Sequence, residues 1–406
     1  MKKTSIFFVL LLAAGLLRAQ EKAATPPMGY MTWNFYADKI TENDIRGIAD
    51  AMSANGLLQA GFNYIFIDDG WQGGRDNKNN ILPDPKKFPS GMKALCDYVH
   101  SKGMKLGIYS DAAQLTCAGY TASLGFEEQD AKTFAAWGID YLKYDYCDAP
   151  GDWQTAIQRY SKMADALTHS GRNIVFGICE WGNRSPWLWA QKSGGQLWRI
   201  SADIRDKWKS KVAPKVANDL HHTGAGILDV LDINTALSPY AAPGGWNDPD
   251  MLVVGLYGRK GPSGDLGGTG CTDTEYQSQM SLWCLLASPL MISCDVTNMN
   301  AATKQILYNK DLIDIDQDPL GVQGQSKFRK DNWQVFVKPL ANGDVAIGIL
   351  NRGEQSGTFN IALADMGLPF AYQAKDVWSK QTTSWNKSVS LKIDGHETKV
   401  FRLHKK

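Results

Sequence analysis

Six segments of this sequence place carboxylates at the end of a short apolar or aromatic run. YIFIDD ends in Asp68 and Asp69, with Trp71 just beyond. KLGIYSD carries Tyr109 and Asp111, YLKYD carries Lys143 and Asp145, and IVFGICEW carries Cys179, Glu180 and Trp181. LWRISAD carries Arg199 and Asp203, and GGWNDPDM carries Trp246, Asp248 and Asp250. One Asp after a strand is most simply the N-cap of the next helix. Six such ends, with Trp, Tyr, Lys or Arg beside the acids, are hard to attribute to capping. Converging carboxylates without a metal-ligand pattern suit glycosyl transfer, which needs one acid and one nucleophile. The chain holds 14 Trp and 15 Tyr. Flat rings suit the apolar faces of sugars, although Trp also fills cores. No CxxC or CxH spacing suggests zinc, and the His221–His222 pair reads as incidental. Neither metal nor cofactor is expected.

The elements that must position these residues alternate along the chain. Tyr64–Asp69 reads as a buried parallel strand, and Pro89–Ser101 as a helix with Met92, Leu95, Tyr98 and Val99 on one face. Strand Lys105–Ser110, helix Glu127–Trp137, strand Tyr141–Asp145, helix Trp153–Ser170 and strand Ile174–Cys179 follow. Strand-helix alternation implies parallel βαβ units. Further repeats at Leu197–Ile200 and Leu290–Ile292 favour a closed (β/α)8 barrel, whose functional residues sit where strands end. The first strand-helix turn lacks the Gly-rich fingerprint of a dinucleotide fold. After Asp318 the texture changes to short alternating strands: Trp333–Val337, Asp344–Leu350, Gly357–Ala362 and Val389–Ile393. The Asn342-Gly343 step is a hairpin signal. The expected architecture is therefore a barrel over 20–318 followed by a small antiparallel β-sandwich over 319–406, packed directly together.

Lys2 and Lys3, the apolar run Ile6–Leu17 and the small Ala19 read as an export signal over 1–19, cleaved before Gln20. No later apolar run is long enough for a membrane helix, so an exported, soluble protein is expected, in periplasm or medium. The formal net charge of +1 argues against nucleic acid as a partner. Seven cysteines permit disulfides in an exported chain but leave at least one thiol over.

From Thr25 to about Asp318 the sequence resembles glycoside hydrolase family 27, the α-galactosidases and α-N-acetylgalactosaminidases. The resemblance rests on many colinear motifs, among them TPPMGYMTWN, IDDGWQ, KLGIYSD, TCAGY, GIDYLKYDYC, ICEWG, LWRISADI, GGWNDPDML and DIDQDPLG. It implies a retaining exo-hydrolase of terminal α-galactose, with a carbohydrate as its partner. By that resemblance Asp145 is the nucleophile and Asp203 the general acid, then base. Trp33, Asp68, Asp69, Tyr109, Lys143, Arg199 and Asp250 would grip the sugar, with Cys117, Cys179, Glu180 and Trp181 around it. Lys143 should keep Asp145 ionised, and Asp203 should need surroundings that hold its proton. Asp68 and Asp69 can share one sugar only if their strand ends there.

The resemblance also pairs Cys117 with Cys147. Members often carry a second disulfide where this chain has Ala37 and Gly70, and a Trp in the region of Tyr30. Glu180 and Asn183 are expected to face the sugar's 2-position and leave no room for an acetamide. Asp68 and Asp69 should favour galactose over β-L-arabinopyranose, which lacks the hydroxymethyl group. Hydrolases of those two sugars, a transglycosylase and a non-catalytic carbohydrate-binding relative are the alternatives.

Overall fold

The computed structural model describes residues 22–210, 224–264 and 268–406. The expected export signal and the His221–His222 pair lie outside them. Eight parallel strands make one sheet: β1 (Met28–Met31), β2 (Tyr64–Ile67), β3 (Lys105–Asp111), β4 (Tyr141–Asp145), β5 (Val175–Ile178), β6 (Leu197–Arg199), β7 (Trp246–Asp248) and β8 (Leu290–Ile292). Their spatial order is β8-β1-β2-β3-β4-β5-β6-β7. The ring closes just past β7, where Leu252 bridges Ile292 in parallel and donates its N–H to Met291 O at 2.8 Å. Every residue of β2 and β5 is buried, as a barrel wall covered on both faces requires.

The main helices are α1 (Glu42–Ala54), α2 (Gly91–Ser101), α3 (Glu127–Trp137), α4 (Trp153–Thr168), α5 (Ile227–Thr235), α6 (Asp273–Leu285), α7 (Ala301–Leu307) and α8 (Lys310–Asp316). Their starts follow local chemistry. Thr41 and Asp44 form a capping box on α1, Thr272 and Glu275 another on α6, and Asp152 accepts from Thr155 N–H on α4. Helix α3 stops at Gly138, whose φ of 90° few other residues tolerate. Helix α2 starts two residues later than its apolar spacing suggests, because Gly91 (φ 78°) turns the chain after Pro89.

The C-terminal unit is an antiparallel sandwich. Its six-stranded sheet runs Gln325–Lys330, Trp333–Pro339, Val345–Asn351, Thr398–Lys405, Tyr372–Asp376, Thr382–Trp385. Gly357–Ala362 and Ser388–Ile393 pair separately, and Phe359, Ile361 and Ile393 share a core with Val335, Ile347 and Leu403. Four of these strands escape the sequence pattern. Gln325–Lys330, for instance, is an edge strand with charged, mostly exposed side chains that carry little hydrophobic alternation.

Phe336, Leu340, Ala346 and Val400 of the sandwich join the barrel's own core, so the two units share one apolar interface. Lys338 and Asp316 are buried within it, and Lys338 Nζ donates to Cys284 O at 3.2 Å. Burial pushes Asp316 up to about 8, against the pull of Lys338, and pushes the lysine down. Replacing Lys338 by Ala should open a cavity beside Asp316, leave Cys284 O without this donor and cost about 3 kcal/mol in urea unfolding. An unchanged unfolding midpoint would show that the pair does not hold the interface.

Candidate active site

Strand β2 ends at Ile67, so the two acids after it escape the strand's alternation. Asp69 N–H donates to Asp68 Oδ1 at 2.9 Å, and Thr32 Oγ1 accepts from Asp68 N–H at 3.0 Å. Both carboxylates thereby reach one wall of a cavity of about 110 Å³ at the C-terminal end of the barrel. Asp145, at the end of β4, and Asp203, in the loop after β6, line the same cavity. Trp33, Tyr109, Lys143, Trp181, Arg199 and Met251 complete its walls with Cys117 and Cys147. Larger clefts exist, of about 490 Å³ around Pro26, Lys105 and Arg172 and about 690 Å³ around Trp208 and Arg352. Neither gathers carboxylates at barrel strand ends, where a (β/α)8 fold carries out chemistry.

Cys117 and Cys147 form a disulfide, with Cα atoms 5.1 Å apart, that joins the loops after β3 and β4. Asp111 stands behind it and accepts Cys147 N–H at 3.0 Å. Cys96, Cys179, Cys271, Cys284 and Cys294 are free and buried. Lys143 Nζ sits 2.9 Å from Asp68 Oδ2, while Ala118 N–H holds Asp69 Oδ2 at 2.8 Å. Arg199 lies 2.9 Å from Asp250 and 3.2 Å from Asp203. Asp250 (φ 73°) stands behind Arg199 rather than on the cavity wall, and its carboxylate also takes Ile204 N–H at 2.9 Å.

Burial and the nearby charges act differently on the two acids. Burial raises Asp145 to about 7, with Asp203 and Asp68 adding to it against Lys143 and Arg199. Lys143, though bonded to Asp68, still favours the ionised form of Asp145, but burial outweighs it. For Asp203 burial also raises the value, but Arg199, Arg205 and Lys143 together outweigh it and hold the carboxyl below the usual range. Two carboxylates this strongly linked titrate as a pair. With burial raising Asp145 to about 7, the pair keeps one proton up to near neutrality.

Like Asn183 and Cys179, Glu180 sits apart from the cavity-lining residues. Its fully buried carboxylate turns onto Arg184, taking the backbone N–H and the guanidinium at 2.9 Å. A buried acid needs a partner, and this cation is four residues away. Cys179 lies behind Arg199, its Sγ 3.8 Å from the guanidinium.

Lys87 is a residue that sequence reasoning missed. Its Nζ donates to Asp38 O at 2.6 Å and Gly70 O at 2.8 Å, tying the segment after β1 to the one after β2. A Cβ on Gly70 would lie 2.8 Å from Asp38 Cβ, so the close approach itself demands glycine there. No local pattern marks Lys87, because those two carbonyls and the Tyr120 hydroxyl, 3.4 Å from Nζ, are all distant in sequence. Among the described residues, Cys96, His100 and Asp140 also bring potential metal-ligating atoms within 4.8 Å of one another. There Asp140 is already engaged by Arg172 and by Leu106 N–H.

The sequence profile of a family described as "Alpha galactosidase A" matches residues 25–318, and that of its C-terminal β-sandwich domain matches 330–403. The chain belongs to the α-galactosidase family. An α-galactosidase from Cyamopsis tetragonoloba is 41% identical over 93% of this chain and 86% of its own length. An α-galactosidase A from Cellvibrio japonicus is 39% identical over 96% of this chain and 94% of its own. The crystal structure of α-galactosidase I from Mortierella vinacea superposes with a TM-score of 0.86 at 33% identity, covering 94% of this chain and 98% of that one.

The Glu180–Arg184 pair generates a stability prediction. At pH 8, above the value of about 7 to which burial raises Glu180, the variant Glu180→Ser strands a buried guanidinium. It should lose about 3 kcal/mol in urea unfolding. Wild-type stability in that variant would mean that the arginine finds water or another partner.

Proposed function

We propose that this protein is a retaining exo-α-galactosidase that releases terminal α-linked galactose, with Asp145 as nucleophile and Asp203 as acid and base. The observation that carries this reading is the small cavity at the barrel's C-terminal end, where these two carboxylates meet Asp68, Asp69, Lys143 and Arg199. A cavity of about 110 Å³ suits the end of a chain, one sugar at a time, and its charged walls can bond several hydroxyls. The named activities of the relatives support the same substrate.

In the first step Asp145 attacks the anomeric carbon while the bond to the leaving oxygen breaks and Asp203 gives that oxygen a proton. In the second step Asp203 takes a proton from water, the water oxygen attacks the same carbon, and the bond to Asp145 breaks. Two inversions give retention. The reaction requires the pair's single proton on Asp203. Arg199 and Arg205 keep Asp203 acidic. An acid held in this way protonates a leaving oxygen readily.

A 2-acetamido galactoside is the second reading, because Glu180 and Asn183 do not line the cavity and so do not supply the expected obstruction. We further propose division of the chain near residue 318 and export of the mature protein. The basic and apolar start of the sequence and the Cys117–Cys147 bridge support export. Among the described residues no helix is long and apolar enough to cross a membrane.

Asp145→Ala should abolish release from p-nitrophenyl α-galactoside, and added azide should restore it with an inverted galactosyl azide as product. Asp203→Ala should retain far more activity on that substrate than on a natural galactoside, since a good leaving group needs little acid help. Equal losses on both would make Asp203 a binding residue.

The pair's shared proton also sets the pH profile. Above about pH 7 it is lost from the pair, so kcat/KM should fall about tenfold per unit. Below pH 7 the active singly protonated form should persist until a second proton binds, which the low value of Asp203 delays. A profile still flat well above neutrality would contradict the shared proton.

A further inference from the structure

The cavity wall formed by Trp181 is held in an unusual way. Trp181 has φ of 56°, a left-handed conformation that bulky side chains avoid, and Gly182 (φ 78°) and Ser185 (φ 47°) share that region. A side chain on Gly182 would meet the carbonyl of Ile200, so this loop is pressed against the end of β6 beside Arg199. Such a conformation persists only where the surroundings over-determine it.

Arg184 contacts the chain on both sides of this conformation. Its backbone N–H and Nη1 grip the carboxylate of Glu180, the residue just before Trp181. Its Nε donates to Gly151 O at 3.1 Å and its Nη2 to Pro150 O at 3.4 Å, both in the loop that follows Asp145. The guanidinium lies 4.6 Å from the centre of the Tyr146 ring, between Asp145 and the cavity-lining Cys147. Its own carbonyl takes the indole N–H of Trp189 at 2.8 Å. One side chain, outside the cavity, thus joins the loop that carries Trp181 to the loop that leaves the nucleophile.

We propose that Arg184 is a positioning residue of the sugar site: by clasping Glu180 to the 150–151 carbonyls it holds Trp181 in its left-handed conformation, with the ring on the wall against which galactose packs. The ring is then a preformed surface whose ordering is not charged to binding. Without the clasp Trp181 relaxes to an ordinary backbone conformation, the wall opens, and affinity for the sugar falls more than the rate of the chemical step. The inference rests on the α-galactosidase reading of the same site.

A double-mutant cycle between Arg184 and Trp181 tests it, with kcat and KM for p-nitrophenyl α-galactoside and Kd for D-galactose by calorimetry. Arg184→Met should raise KM and Kd about tenfold while kcat changes less than about threefold. Trp181→Ala should raise them at least as much, and the double variant should match Trp181→Ala alone, because an arginine that acts through Trp181 has nothing left to position. Arg184→Lys, which keeps the charge but not the fork, should recover part of the loss. If Arg184→Met does not fold, Glu180→Gln with Arg184→Met replaces it in the cycle, since that pair leaves no unpaired buried carboxylate. Unchanged KM and Kd in a folded variant, or independent effects that multiply in the double variant, overturn the proposal. A wild-type protein that binds galactose but leaves α-galactosides intact defeats the functional reading instead, and the Kd cycle still decides on Arg184.

Discussion

A guanidinium buried at the end of a barrel strand, within 3.2 Å of two carboxylates, is the constraint around which this site is arranged. Arg199 is almost wholly withdrawn from solvent, beside Asp250 at 2.9 Å and Asp203 at 3.2 Å. Charges so placed are tolerated only in pairs, because desolvation of an unpaired ion costs several kcal/mol. Lys143 plays the corresponding part for Asp68. The acids on the cavity wall outnumber these two cations, and the imbalance keeps one proton on the Asp145–Asp203 pair toward neutrality. The acidity of Asp203, the basicity of Asp145 and the placement of Asp250 all follow from where that charge sits.

The barrel supplies the rest by holding strand ends in register. Asp111 and Asp145 are partners across β3 and β4, so the acid behind the disulfide and the acid in the cavity are tied through one ladder. Beyond the strands, short-range devices take over. A disulfide joins the loops after β3 and β4, Lys87 bridges two carbonyls after β1 and β2, and Arg184 joins the loops after β4 and β5. Each closes a different part of the rim, and each acts on backbone rather than on the sugar. Left-handed backbone at Trp181 and Asp250 shows where the rim is strained into shape.

Much of this was legible in the residue order. The apolar runs that end in acids are barrel strands, and Glu127–Trp137 is helical over the span its spacing suggests. Asp68, Asp69, Asp145 and Asp203 do meet in one cavity. The polar edge strands of the sandwich were not legible, since an edge strand such as Gln325–Lys330 avoids the alternation by which strands are recognised.

What the sequence by itself determined is which residues stand at strand ends, because a strand's periodicity and its terminating acids are local properties of the chain. Only the tertiary structure decided which way those side chains turn and what charge they carry. Glu180 looks like a cavity acid in sequence, yet Arg184 draws it away. Lys143 looks like the partner of Asp145 two residues on, yet bonds Asp68 from another strand. Burial and the nearest opposite charge govern both outcomes. They depend on distances across the barrel, between residues far apart in the chain, which the order of residues does not contain.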